Sequence, residues 1–302
     1  RSTPNLNVGG APPQGTSRAA AIDTIPVATP AEIPQQMRMG GALEKSGFVR
    51  SDHGNRGPNW EIVGEDSQIL VVKVGAGEEV MCEPGGMMTK GKETHPSVNM
   101  GSMGLACKRC CCAGESCFRV IWKATQGDTV TVTPFFPAKV LPIDLDKHSG
   151  LFIKKKAWMA SLGRNTDFGI QTAPSFATAC CAGQGCCLTS ITGTGTTFLS
   201  IGGTVVEKTL GESEELVLEQ SSLVAWSPSV RLDVIRSGNC CTMCCGGMGL
   251  FQARVTGPGL VIIQSMSYEK ARQAYAQAAL GQKPQQSGGL GIGVSQAPPT
   301  LA

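Results

Sequence analysis

The chain has 302 residues, of which 41% are hydrophobic and 5% aromatic, and its formal net charge is +3 at pH 7. That length accommodates one large domain or two ordinary ones, and 26 basic against 23 acidic residues are too balanced to indicate a nucleic-acid partner. No hydrophobic run reaches the roughly 18–20 residues that span a bilayer, and the 39 glycines favour a turn-rich β protein over a helical one.

The two ends of the chain are predicted to be extended or disordered arms. The first 57 residues contain six of the eighteen prolines and no periodic apolar pattern, and residues 281–302 have the same character. The Ala-rich run 267–281 predicts a short helix that ends at Gly281. The predicted organisation is an N-terminal arm (1–57), a β domain (58–268), and a helix with a Gly/Pro-rich tail (269–302).

A first motif occurs three times in the predicted domain, and its copies align without gaps. Each copy reads as strand, turn and strand, with turn residues at its centre. The copies are EEVMCEPGGMMTK (78–90), SGLFIKKKAWMAS (149–161) and EELVLEQSSLVAW (214–226). Their starting residues are 71 and 65 positions apart.

A second, cysteine-rich motif alternates with the first. Its copies are CCAGESCF (111–118), CCAGQGCC (180–187) and CCGGMGLF (244–251), with turn glycines Gly114, Gly183 and Gly247. These glycines are 69 and 64 positions apart, so two independent motifs have the same period. The pattern predicts three tandem repeats of about 68 residues that form a quasi-three-fold β-sandwich or β-roll.

Each cysteine-rich motif leads into a predicted β run. The second and third runs contain Thr-Gly-x-Gly, at 192–195 and 256–259, which predicts a hairpin turn between two strands. Equivalent turns of the three repeats are then expected to meet near a common axis or rim.

Three long stretches of the sequence resemble a known family. They are PFFPAKVLPIDLDKHSGLFIKKKAWMAS (134–161), GTTFLSIGGTVVEKTLGESEELVLEQSSLVAWSPSVRLDVIRSG (195–238) and GLFQARVTGPGLVIIQS (249–265). The chain is similar here to the altered-inheritance-of-mitochondria protein 24 family, and the likeness covers about 60–268. The resemblance implies a tryptophan-RNA-binding-attenuator-protein-like β-sandwich built from three related units, here in a Cys-rich eukaryotic variant.

The resemblance also implies a biological setting. In fungi this family is linked to mitochondrial inner-membrane organisation and respiratory-chain biogenesis, and it carries neither an enzymatic activity nor RNA binding. We therefore expect no catalysis and a location at the mitochondrial inner membrane, with plastid or cytoplasm as alternatives.

Thirteen of the fourteen cysteines fall into three clusters, for which four interpretations remain open. They could pack as small apolar residues beside tight glycine turns, bind zinc or an iron–sulfur cluster, form disulfides, or carry acyl chains. Packing is favoured and no cofactor is expected. The candidate metal ligands, two pairs of which have Cys-x-x-Cys spacing, are Cys107, Cys110, Cys111, Cys180, Cys241 and Cys244.

Signals for catalysis or anion binding are weaker. The three histidines, His53, His95 and His148, lie outside any recognisable catalytic motif. Two basic stretches are candidate contacts for an anion or lipid: Lys108 with Arg109, and Lys154, Lys155 and Lys156.

The leading hypothesis is a non-enzymatic scaffold, an assembly or stabilising subunit of a larger organellar, membrane-associated complex. Its terminal arms would bind protein subunits of that complex and become ordered on binding. The alternatives are a thiol-based metal or redox module that uses the repeated Cys-Cys turns, and a peripheral protein that binds anionic lipid.

Overall fold

The computed structural model describes residues 44–51, 53–107, 109–110, 116–163, 166–172, 187–237 and 251–279. These residues form nineteen strands, two α-helices and two short 3-10 turns. The all-β prediction and the short C-terminal helix are therefore confirmed.

The strands are β1 (Val49–Arg50), β2 (Trp60–Val63), β3 (Ile69–Val74), β4 (Glu79–Cys82), β5 (Met87–Lys90), β6 (Thr94–Asn99), β7 (Arg119–Ala124), β8 (Asp128–Val132), β9 (Lys139–Asp144), β10 (Leu151–Ile153), β11 (Trp158–Leu162), β12 (Thr166–Thr172), β13 (Cys187–Gly193), β14 (Thr196–Leu210), β15 (Glu215–Leu218), β16 (Leu223–Trp226), β17 (Arg231–Arg236), β18 (Phe251–Thr256) and β19 (Gly259–Met266). The helices are α1 (Met103–Cys107) and α2 (Tyr268–Ala279).

The same four antiparallel pairings occur in three successive segments of six strands. In the first segment β3 pairs with β8, β5 with β8, β4 with β7, and β6 with β7. In the second segment the pairs are β9 with β14, β11 with β14, β10 with β13, and β12 with β13. In the third they are β14 with β19, β16 with β19, β15 with β18, and β17 with β18. The pairings therefore recur in the chain order of the aligned sequence motifs.

Successive segments are joined by one further pairing, with an identical register each time. Ala160 of β11 lies opposite Cys82 of β4, and Ala225 of β16 lies opposite Ile153 of β10. In each pair the twelfth residue of one thirteen-residue motif faces the fifth residue of the preceding motif. The gap-free alignment thus holds residue by residue at both junctions.

The predicted hairpins are wrong. The two strands of each thirteen-residue motif belong to different pairings, and neither β13 with β14 nor β18 with β19 forms a pair. At the first of these turns Gly193 and Gly195 have φ of 120° and 87°, a conformation that glycine adopts without steric cost. After this turn, β14 pairs with β9 and β11 instead of folding back on β13.

The strands form two continuous faces and two smaller sheets. Two faces are continuous runs of six strands, β9-β14-β11-β4-β7-β6 and β14-β19-β16-β10-β13-β12. The remaining strands form the separate sheets β2-β3-β8-β5 and β15-β18-β17, and the strand edges of β5 and β15 are together called the open face below. Within the described part of the chain, β5 pairs only with β8 and β15 pairs only with β18.

Strand β14 belongs to both continuous faces and bends between them. Its first part pairs with β9 and β11, and its second part pairs with β19 and β1. The bend lies at Gly202 and Gly203, where the register against β19 shifts and Gly203 has φ of 70°. A side chain at Gly202 would overlap the backbone oxygen of Met266, so the two strands approach too closely there for any residue but glycine.

Three apolar clusters fill the space between the faces. Phe198 and Leu70 belong to the first, Leu199 and Ile143 to the second, and Trp226 to the third, and all five are fully buried. Phe198 and Leu199 are neighbours on β14 and point to opposite sides of the strand, so this strand contributes to two clusters.

The predicted N-terminal arm extends too far into the chain. Residues 44–57 contact the domain, because β1 adds to the edge of β14, with Val49 opposite Glu207. Ser51 Oγ donates to Glu207 Oε1 at 2.6 Å, and His53 Nε2 lies 2.6 Å from the same oxygen. These side-chain contacts explain how a short polar segment is held on the sheet, and residues 1–43 lie outside the described part.

Acidic pH is expected to release β1 from the sheet. Burial raises the pKa of Glu207, but hydrogen bonds from His53 and Ser51 outweigh it, so the pKa lies below its ordinary value of 4.5. A lowered pKa stabilises the docked segment above pH 4.5 and loses this effect as the pH falls through the folded-state value. Amide-exchange protection of Val49 and Ser51 should therefore fall on acidification, and at pH 7 in Glu207→Gln.

Protection of β19 amides serves as the internal control for that experiment, because these amides belong to a continuous face. Equal protection of β1 in wild-type protein at pH 7 and pH 3 would contradict the proposed role of Glu207.

Candidate functional site

The cysteine-rich segments occupy the same place in each of the three strand segments. Each connects two antiparallel neighbours and leaves and re-enters at directly paired residues. These pairs are Asn99 with Arg119, Thr172 with Cys187, and Arg236 with Phe251. The three segments, 100–118, 173–186 and 237–250, are thus the connections of three equivalent two-stranded units.

Most of the predicted metal ligands lie outside the described residues. These ligands are Cys111, Cys180, Cys241 and Cys244. Lys108 and the turn glycines Gly114, Gly183 and Gly247 also lie outside the described residues. Cys107 and Cys110 are described, and both are exposed. Across the described ranges, no group of three or more His, Cys, Asp or Glu side chains could hold a metal ion. The metal hypothesis therefore stays a prediction.

Arg109 closes the base of the first cysteine-rich connection. Only 3% of the residue is exposed, and its Nη2 donates to the carbonyl oxygens of Met100 at 2.9 Å and Cys117 at 2.5 Å. Its guanidinium thereby joins the two ends of the connection. The prediction that Arg109 contacts an external anion or lipid is wrong for this reason, since the charged group is directed inward.

The opposite side of the same segment presents apolar and thiol groups to solvent. Met103, Cys107 and Cys110 are all exposed, and their spacing of four and three residues places them on one side of α1 and its extension. Ala106 and Arg109 of the same segment are buried. Met103 and the two cysteines are therefore exposed apolar and thiol groups at the start of the first cysteine-rich connection.

Arg119, the first residue of β7, is a buried cation that the sequence analysis missed. Its guanidinium carbon lies 4.4 Å from the ring centroid of Trp158 and 3.1 Å from that of Phe168. The Arg119 side chain therefore links the end of the first cysteine-rich connection to β11 and β12. An arginine that opens the apolar run Val120-Ile121-Trp122 was the available signal.

The three consecutive lysines do not form one basic patch. Lys154 is buried, and its Nζ donates to the carbonyl oxygen of Gln220 at 2.8 Å. Burial lowers the pKa of Lys154. Lys155 is exposed, whereas Lys156 Nζ lies 2.6 Å from Glu83 Oε1. Only Lys155 of this run is fully available to an external anion.

The Glu83–Lys156 ion pair lies beside a cavity of about 190 Å³. Glu83 directly follows β4 and is 7% exposed, and Lys156 adopts a left-handed backbone with φ of 66°. A non-glycine residue in this conformation costs energy and is found where the surroundings hold it in place. The cavity is closed from the side of α2 by Tyr268, whose ring meets that of Phe136 at 5.5 Å.

The histidines show no catalytic arrangement in the described residues that surround them. Ser51 and His53 both contact the same oxygen of Glu207, so the histidine is not placed to accept the serine proton. His95 lies exposed on β6, and His148 follows the 3-10 turn Leu145–Lys147.

Within the described residues, no helix has the length and apolar character needed to cross a bilayer.

Comparison with known proteins gives a family and a fold. A family model described as mitochondrial biogenesis AIM24 matches residues 60–266, more than half of the chain. The crystal structure of protein SPYM3_0169 from Streptococcus pyogenes is similar, with a TM-score of 0.58 and 17% sequence identity. The match covers 72% of this chain and 98% of the bacterial one, and at this identity it shows the fold alone. No curated protein matches.

Proposed function

Since the chain belongs to the mitochondrial biogenesis AIM24 family, we propose that it is a non-enzymatic scaffold, an assembly or stabilising subunit of a larger complex at the mitochondrial inner membrane. The observation that carries this proposal is the open sheet face. In both continuous faces, the second strand of one thirteen-residue motif pairs with the first strand of the preceding motif. The corresponding strands at the open face, β5 and β15, have no such partner among the described strands.

The two strand edges suit a protein partner. All four residues of β5 are exposed, including Met87 and Met88, and Val217 of β15 is 48% exposed. Exposed strand edges present unpaired backbone groups, and an extended segment of another protein can add to them as a strand. The exposed methionine and valine side chains supply apolar contacts beside these hydrogen bonds.

The strand edges of β5 and β15 differ in charge, which favours different partner residues at each. Lys90 ends β5 and Lys92 lies in the loop after it, whereas Glu212 and Glu215 lie at the start of β15, where Glu214 pairs with Lys208 at 2.8 Å. An added strand with acidic residues towards β5 and basic residues towards β15 complements both edges.

The membrane-associated part of the proposal is supported by the exposed side of α1. Met103 is 72% exposed, and two exposed cysteines accompany it on the same side. Apolar groups in such a position are suited to the headgroup boundary of a bilayer. The terminal arms remain proposed contacts with other subunits, and a deletion that tests them should remove 1–43, because 44–57 belong to the domain.

A double charge substitution at the open face tests the scaffold proposal. Met88→Lys with Val217→Lys should release the chain from its native complex, because lysine on a strand edge prevents pairing with another strand. The measurement is the size of the species extracted from mitochondria in mild detergent. We expect the double variant to migrate as the free chain and the wild type at a higher mass.

Val98→Lys is the matched control, because Val98 is 66% exposed on another edge strand, β6, which already contains Pro96. It should leave the complex intact, and all three proteins should have equal thermal stability. Co-migration of the double variant with the wild-type complex would contradict the proposed role of the open face. A wild-type protein that migrates alone would contradict membership of a complex.

A further inference from the structure

The two strand edges of the open face match one another. We propose that they join copies of this chain, with β5 of one copy pairing with β15 of another. The inference rests on the proposed function of the open face as a docking surface, and it names the protein that docks there. Among the described strands, β5 pairs only with β8 and β15 only with β18.

Strand β5 has the same irregularity as its two equivalents, β11 and β16. In each strand the register against the inner neighbour shifts between the tenth and twelfth residues of the thirteen-residue motif. These residues are Met87 and Thr89, Trp158 and Ala160, and Leu223 and Ala225. Because a bulge sets the local bend and twist of a strand, β5 presents its outer edge as β11 and β16 do. Those two strands use that edge to pair with the first strand of the preceding motif.

Strand β15 is the counterpart of β4 and β10. Each of the three is the first strand of its motif and pairs on one side with β18, β7 or β13. On the other side, β4 and β10 receive the second strand of the next motif. The third motif is the last of the three, so only the first motif can supply the equivalent strand to β15. Since β5 of the same chain is not paired there, a second copy supplies it.

The register of the two paired junctions, β11 with β4 and β16 with β10, places opposite charges across the new contact. In both junctions the twelfth residue of one motif faces the fifth of the other, which puts Thr89 opposite Leu218. Three steps further along the antiparallel strands, Lys92 faces Glu215. Their side chains are 91% and 53% exposed, and their partners within the chain are distant, Glu93 at 3.8 Å and Arg254 at 3.9 Å. Opposite charges directly across two strands stabilise the pairing.

This charge pair is specific to the open face. At the equivalent positions of the paired junctions, Gly163 would face Glu79, and Pro228 would face Gly150. Strands of one chain are brought together by the rest of the fold. Separate chains gain partner choice and register from complementary charges, so a charge pair at this junction alone fits a contact between copies.

The contact is small and joins unlike edges. Strands β5 and β15 have four residues each, so we expect weak self-association, with a dissociation constant of about 10–100 μM. A contact between unlike surfaces continues from copy to copy until a ring closes.

Charge reversal in the purified full-length protein tests the contact, with sedimentation velocity at increasing concentration as the measurement. We expect the wild type to self-associate. Lys92→Glu and Glu215→Lys should each weaken association about fivefold, and their combination in one chain should restore it. Lys155→Glu is the matched control, because it changes the net charge equally at an exposed lysine outside the open face. It should leave association unchanged.

A cysteine crosslink locates the contact. Lys90 and Val217 are exposed and fall directly opposite one another in the proposed register, at a distance that a disulfide spans. Oxidation of a mixture of Lys90→Cys protein and Val217→Cys protein should join residues 90 and 217 of different chains, as read by mass spectrometry of the peptides. Unmixed samples should lack this link.

A wild-type protein that stays monomeric at all concentrations overturns the inference, as does a double charge reversal that restores nothing. A link that forms only when both cysteines are in one chain shows closure within the chain and also overturns it. These failures differ from failure of the proposed function, because the complex extracted from mitochondria is tested separately at Met88 and Val217.

Discussion

Replacing Glu83 by alanine is expected to lower the free energy of unfolding by about 3 kcal/mol. The substitution leaves the ammonium of Lys156 without its carboxylate in a largely buried place, and loss of one partner from such a pair costs about 3–5 kcal/mol. The lower end applies because 27% of the Lys156 side chain still contacts solvent, against 8% for Glu83. Urea denaturation of the two proteins measures the difference.

The matched control is Glu79→Ala, four residues earlier on β4. Glu79 pairs with Lys123 at 3.2 Å, and the Lys123 side chain is 52% exposed. The Glu79 side chain is 16% exposed, so the pair is half-exposed, and its loss should cost about 1 kcal/mol. A double variant, Glu83→Leu with Lys156→Met, should recover most of the loss, since an apolar pair of similar volume replaces a buried ion pair at little cost. If Glu83→Ala and Glu79→Ala lowered the free energy of unfolding equally, the buried pair would contribute no more to stability than the Glu79–Lys123 pair.

Replacing Gly202 by alanine should be at least as damaging, with an expected loss of about 3 kcal/mol or more. The added methyl group would overlap the backbone oxygen of Met266 and lies 2.9 Å from the Phe136 ring. Backbone cannot move aside as a flexible side chain can, so β14 and β19 would have to separate at the bend. Thermal denaturation of the variant gives the size of the effect.

Gly127→Ala is the control for this substitution, because nothing lies within 4 Å of its added methyl group. It should be neutral or stabilise the protein by up to about 1 kcal/mol, through the reduced freedom of the unfolded chain. A Gly202→Ala protein as stable as Gly127→Ala would mean that the strands tolerate a wider spacing at the bend.

The local order of strands and turns could be predicted from the sequence, but the partners of each strand could not. Periodicity and turn residues identify where a strand begins and ends, but the register of Ala160 against Cys82 comes from the structure. Turn residues do not specify whether the next strand pairs with the last one. Here the strands pair with distant partners, and the hairpins at the Thr-Gly-x-Gly turns were wrongly predicted for that reason.

The candidate site depends on contacts between residues far apart in the chain, and these leave no local pattern. Glu83 and Lys156 are 73 residues apart, and Ser51 and Glu207 are 156 apart. Lys154, Lys155 and Lys156 are consecutive in the sequence, so they were expected to form one basic surface. In the fold, a tight turn sends Lys154 and Lys156 to different buried partners. The exposed side chains of α1 were not predicted, because they belong to a cysteine-rich stretch whose spacing suggested metal ligands.

The shared strand β14 determines how the protein comes apart. Opening the second segment breaks the hydrogen bonds of β14 with β9 and β11, and opening the third breaks those of the same strand with β19. The first segment contains no strand of this kind, because residues 133–138 separate β8 from β9. Phe198 of β14 nevertheless packs in the same apolar cluster as Leu70 of the first segment, so loss of β14 should expose all three clusters, and the described domain should unfold as one cooperative unit.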